Sequence, residues 1–99
     1  MWKERPLEPI RTVDVVILGR VQGVGYRDWT IGQAERRGLS GHVRNRADGS
    51  VAATFSGPPD AVAAMLDACR RGPDSARVDA VEVTETAEPP PAGFRLRRT

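Results

Sequence analysis

The stretch that most limits what this chain can become runs from Val13 to Arg27, an apolar run VDVVIL followed at once by GRVQGVGYR. A short run rich in Val and Ile reads as a strand. Being apolar on nearly every residue, it suits the middle of a sheet rather than an edge. Val13, Val15 and Ile17 share one face of it, and Asp14, Val16 and Leu18 the other. Gly19, Gly23 and Gly25 then strip the backbone, and Arg27 closes the segment. Such a loop, leaving a buried strand and entering a helix, has to be accounted for by any fold.

The rest of the chain supplies the partners for that strand. Residues 27–37 read as a helix with a weak stripe of Tyr26, Thr30, Ala34 and Arg37, stopped by Gly38 in a left-handed cap. Leu39 to Arg46 and Ser50 to Phe55 read as strands joined through Asp48-Gly49, a pair that suggests a type I′ hairpin turn. Gly57-Pro58-Pro59-Asp60 ends the second of these and opens another helix, since proline is tolerated in the first turn. Val62, Met65, Leu66 and Cys69 then fall at i, i+3, i+4 and i+7, the cleanest helical stripe in the chain. Gly72-Pro73 closes it. Arg77 to Thr86 is a further strand, in which Val78, Ala80 and Glu82 alternate with Asp79, Val81 and Val83. EPPPAG breaks the chain before a short last strand at Phe94 and Leu96. The order is βαββαβ plus a terminal strand, which predicts an α+β sandwich: an antiparallel sheet with two helices on one face. Met1 to Thr12, with mixed charges, Pro6 and Pro9, reads as a flexible lead-in, leaving 13–99 as one domain.

The glycine segment fits neither common nucleotide motif. A P-loop needs a lysine and a hydroxyl after its last glycine, and both are missing. A dinucleotide fingerprint needs a third glycine where Asp28 stands. The physics of anion binding still applies. A strand-to-helix loop can turn successive N–H groups inward as a nest, and a helix start adds donors and partial positive charge. Arg27, in the first helical turn, opposes the helix dipole unless an anion sits there, and its planar fork suits phosphate or carboxylate. The plain alternative is a tight turn with a solvent-facing arginine.

Composition narrows the remaining classes. The net charge of +2 in 99 residues is too mild to imply nucleic acid by itself. The single cysteine, Cys69, excludes an intramolecular disulfide and a four-cysteine zinc site. No apolar run approaches the roughly 18 residues of a membrane span, and the amino-terminal stretch lacks the apolar core of a secretory signal. These features predict a protein of the cytoplasm.

GRVQGVGYR, followed by GLSGHVRNRADGSV, closely resembles the signature of the acylphosphatase family. The order and spacing match from Ala34 to Val51, and the looser similarity covers about 13–97. The resemblance implies a ferredoxin-like sandwich that hydrolyses carboxyl phosphates to a carboxylate and inorganic phosphate. It implies no metal and no cofactor. The family's catalytic arginine matches Arg27 and its catalytic asparagine matches Asn45. Backbone N–H groups of Gln22, Gly23, Val24, Gly25, Tyr26 and Arg27 would wrap the phosphate, with Asn45 holding the attacking water. His42 stands where many relatives have tryptophan, Tyr26 where many have phenylalanine, and Arg46 where some have a hydroxyl residue.

Other chemistry-bearing residues have plainer readings. An odd separation along a strand points His42 and Asn45 to opposite faces. Cys69 on an apolar stripe reads as a buried structural thiol. Asp48 makes the turn, and Arg70-Arg71 complement a helix C-terminus. A different class is a non-catalytic ferredoxin-like module for anion binding, docking or RNA. An RNA-reading sheet would carry aromatics on its central strands, and the first strand has none. The expected partners are thus a small acyl phosphate and its product phosphate, with no nucleic acid and no membrane, for a monomeric enzyme.

Overall fold

A computed structural model describes residues 9–97. Its elements are β1 (Arg11–Arg20), α1 (Tyr26–Arg36), β2 (Ser40–Asn45), β3 (Val51–Gly57), α2 (Pro59–Arg71), β4 (Arg77–Thr86) and β5 (Phe94–Leu96). They form a five-stranded sheet in the order β4-β1-β3-β2-β5. Both helices cover one face, and the fold is the expected ferredoxin-like α+β sandwich. Residues 1–8 of the expected lead-in lie outside the described residues. Arg11 and Thr12, which composition alone puts in the lead-in, belong to β1 instead. Cross-strand pairing recruits them: Arg11 forms a fork of two bonds with Glu85, 3.1 and 2.7 Å, and the Thr12 hydroxyl meets that of Ser56 at 2.7 Å.

β1 is central, antiparallel to β3 on one side and to β4 on the other. Val13, Val15 and Ile17 are its buried face, as the alternation predicts. The core they join takes Tyr26 and Ala34 from α1, Val43 from β2, Phe55 from β3 and Val62, Met65, Leu66 and Cys69 from α2. Close packing of this kind, worth roughly 1.5–3 kcal/mol per large apolar side chain, orders the elements around the glycine loop. α1 buries Tyr26, Thr30 and Ala34. Arg37 lies past its end, only partly covered, and donates back to the Gln33 carbonyl and side chain. The stop is a Schellman motif: Leu39 N–H bonds the Ala34 carbonyl and Gly38 N–H that of Glu35, with Gly38 at φ +66°.

The structure corrects the sequence reading in three further places. β5 runs parallel to β2, so the sheet is mixed rather than wholly antiparallel. The segment before β5 crosses the end of the sheet and returns in the same direction as β2, on its free edge. A register shift opposite Leu18 and Gly19 skips Asp79 of β4. That bulge lets Val78 pack on the core with Val81 and Val83, which strict alternation would separate. The β2–β3 turn is not type I′, because Gly49 has φ +93° while Asp48 does not have positive φ. Gly49 N–H closes on the Arg46 carbonyl at 3.2 Å, and Arg46 N–H on the Ser50 carbonyl at 2.9 Å. This is a three-residue loop with glycine as its left-handed residue. Asp48 accepts from the backbone and hydroxyl of Ser50, which hold its carboxyl below the usual range.

Candidate active site

The glycine loop is anchored before it is shaped. Val21, 1 % exposed, pins its start in the core. Gly23 and Gly25 then take φ +74° and +80°. A Cβ at either position would meet nothing within 4 Å, so the requirement is conformational rather than spatial. Gly25 is the residue that opens α1, and no side chain caps that helix. The N–H groups of its first turn have no partner within the helix. They face a small cavity of about 100 Å³, lined by Val21, Gly23, Gly25, Tyr26, Arg27, Asp28 and Asn45.

Three side chains hold the loop from outside. The Tyr26 hydroxyl, fully buried, donates to the Cys69 carbonyl at the end of α2, 2.8 Å away. The burial that makes this bond raises the tyrosine pKa and pushes the Cys69 thiol up to about 12, so the thiol is inert packing. Ser75 donates to the Val24 carbonyl at 2.9 Å. The Gln22 amide donates to the carbonyls of Arg46 and Ser50, 2.7 Å each.

Arg27 and Asn45, from α1 and from the last position of β2, meet at this cavity together with Gly23, Gly25 and Tyr26. Gln22 and Val24 are not among its lining residues. The side chain of Gln22 turns to the β2–β3 hairpin, and Val24 packs against the core. Val21 and Asp28 line the cavity without having been singled out for it. Asp28 was legible as the neighbour of Arg27 in the first helical turn, where a carboxylate suits the dipole. Among the described residues Arg27 makes no ion pair. Its charge is thus not spent on a carboxylate of the fold. Among the same residues, no three of His, Cys, Asp and Glu gather as a metal site would require.

His42 points away from Asn45, as the strand alternation predicts. It sits on the helix-free face, in a larger cleft with Asp14, Thr54, Arg95 and Arg97. Burial and the nearby Arg97 hold its pKa below the ordinary value. It is therefore removed from the cavity by the thickness of the sheet.

Known proteins resemble this chain along most of its length. The acylphosphatase family model matches residues 13–96. The chain is 58% identical over 90 residues to an acylphosphatase of Azorhizobium caulinodans, covering 89% of this chain and 96% of that one. The structure is similar to that of an acylphosphatase from Coxiella burnetii, with TM-score 0.85 and 30% identity over 89% of this chain and 93% of that one. It is equally similar to an acylphosphatase from Bacillus subtilis, with TM-score 0.84 and 32% identity over 88% and 98%. With the motif and the element order in agreement with these matches, the chain belongs to the acylphosphatase family.

Proposed function

We propose that this cavity is where the chain hydrolyses acyl phosphates, with Arg27 and Asn45 as its catalytic residues. The observation that carries the reading is their meeting, from separate elements, around one cavity floored by uncapped helix donors. A water takes about 30 Å³, so a cavity of about 100 Å³ fits a phosphoryl group. The acyl portion stays outside, which leaves the enzyme tolerant of its nature.

Phosphoryl transfer is mostly positioning and neutralisation of spreading charge. The loop N–H groups, Gly23 to Arg27 with Gln22 at the edge, and the Arg27 fork hold the phosphoryl oxygens. They are fixed before reaction, so they stabilise developing charge with little reorganisation. The Asn45 amide orients a water in line with the P–O bond to the acyl group. The water oxygen bonds to phosphorus, the carboxylate leaves with the electron pair of the broken bond, and a proton of the water passes to a phosphoryl oxygen. No protein base is required, because a carboxylate is a good leaving group. In support, His42 lies on the far face and Cys69 is sealed in the core. No metal or cofactor enters the scheme.

Among the described residues no helix is long and apolar enough to cross a membrane. The buried lone thiol suits a reducing cytoplasm, and a monomer suffices because every proposed group comes from one chain. The test is turnover of benzoyl phosphate by the purified protein after exhaustive chelation. Turnover inhibited competitively by inorganic phosphate is expected. Amide shifts on phosphate titration that avoid 22–28 would reject the placement, and absence of turnover would favour a binding module.

A further inference from the structure

Arg27 and Asn45 sit on elements with no covalent reason to keep a fixed separation. Arg27 belongs to the loop–α1 unit, and Asn45 to the β2–β3 hairpin. In-line attack needs the water held by one to meet the phosphorus held by the other. We propose that the side chain of Gln22 is the positioning residue that fixes this separation, by locking the phosphate loop to the neck of the hairpin. The inference rests on the site reading given above.

An amide nitrogen carries two protons, and Gln22 Nε2 uses both. One goes to the Arg46 carbonyl and one to the Ser50 carbonyl, each at 2.7 Å. These are the two residues that close the hairpin loop on each other through the Arg46 N–H, and Arg46 directly follows Asn45. The amide orientation is dictated by its partners, since the flipped form would set its own oxygen against two carbonyl oxygens. One planar group on the loop therefore grips both rails of the hairpin beside Asn45, and a two-point grip restrains rotation as well as distance.

The grip is not needed for the hairpin itself. Both carbonyls already accept a backbone N–H, the Arg46 carbonyl from Gly49 and the Ser50 carbonyl from Arg46. Gln22 takes a second lone pair on each, so its removal leaves neither acceptor orphaned. Gln22 is also only half-buried. A residue that the local fold can spare, yet that spends both donors across two elements, fits a role in registering those elements for chemistry.

The experiment is a double-mutant cycle on benzoyl phosphate turnover, with phosphate affinity measured by calorimetry on each variant. Gln22→Met keeps length and volume and removes the donors. Its kcat is expected to fall by roughly ten- to a hundredfold, with phosphate Kd changed less than about threefold. In an Asn45→Ala background the same substitution should cost less than about twofold, because the group it positions is gone. Gln22→Asn keeps the amide but withdraws it by one methylene, and should repeat the loss; it also serves should the methionine variant fold poorly. Normal turnover in a folded Gln22→Met protein overturns the proposal. So does an equal loss in both backgrounds, which is the mark of a merely structural bond, or a phosphate affinity that falls in step with turnover. If Asn45→Ala alone turns over normally, the site reading fails and the clamp fails with it; a normal Gln22→Met beside a crippled Asn45→Ala removes the clamp alone.

Discussion

Two arginine-bearing hollows on opposite sides of the sheet differ in what their donors are free to do, and the smaller is the more telling. The cleft on the helix-free face measures about 560 Å³ and holds Arg95, Arg97 and His42. The cavity at the glycine loop measures about 100 Å³, and Arg27 is the one cationic side chain in its lining. Carboxylates line both, Asp14 and Glu88 in the large cleft and Asp28 in the small cavity, but the floor of the large cleft is strand backbone already paired within the sheet. In the small cavity, helix N–H groups with no partner inside the helix and an arginine that makes no ion pair among the described residues meet at one place. The proposed anion site therefore rests on donors rather than on room.

The largest expected effect comes from removing the free charge. Arg27→Ala should cut benzoyl phosphate turnover by about 10³-fold or more and abolish measurable phosphate binding. Arg27→Lys should recover only part of it, because a point ammonium cannot reproduce a bidentate fork. Full recovery by lysine would mean that charge alone distinguishes the two hollows.

Next comes the nucleophile side. Asn45→Ala should lower kcat by about 10²-fold while phosphate Kd, read by calorimetry, moves less than about twofold. Circular dichroism should report an intact fold, since Asn45 ends a strand at a hairpin. Joint loss of turnover and affinity would make Asn45 part of the anion cradle instead.

A smaller effect sharpens the electrostatic half of the comparison. Asp28 lines the small cavity, and a carboxylate there should repel an anion bound by Arg27. Asp28→Asn should tighten phosphate binding about two- to threefold at low salt, with the gain fading as salt screens it. Weakened binding would show that Asp28 serves the site by holding the helix start rather than opposing the ligand.

The smallest effect belongs to the far face. Burial and Arg97 lower the folded pKa of His42 from its ordinary 6.5. The unfolded chain then takes up the proton more readily, so stability rises with pH through that window. The contribution is fully present above pH 6.5 and is lost as the pH falls towards the folded value. His42→Gln should flatten the dependence of the thermal midpoint between about pH 7.5 and 5, and leave turnover unchanged. Turnover that tracked His42 would mean the two faces are coupled.

Much of this was legible in residue order because local chemistry decides it. The buried face of β1, the Gly38 stop and the stripe of α2 follow from periodicity and from glycine at a left-handed position. Arg27 and Asn45 were identifiable from a motif, and their meeting follows from the sheet that joins their elements. The parallel pairing of β5 was not legible, since EPPPAG announces a break but not the direction of return. The bulge at Asp79 depends on what β1 offers opposite it, and no pattern within β4 reveals that. The turn after Asn45 looked like type I′ from Asp-Gly, yet Arg46 and Ser50 close a longer loop. The grip of Gln22 was hidden for a related reason: its partners are carbonyls, which every residue carries and no sequence displays.

The place of β1 in the sheet has a consequence for the order of assembly. It is the first of the five strands to be made, yet it lies between β3 and β4, whose residues are made later. Val13, Val15 and Ile17 must therefore wait for β3 on one edge and longer still for β4 on the other. Pairings between distant segments make folding slow. The glycine loop hangs from the end of this waiting strand, so anion binding should be among the last properties the nascent chain acquires, and phosphate should then trap the finished state rather than speed its formation.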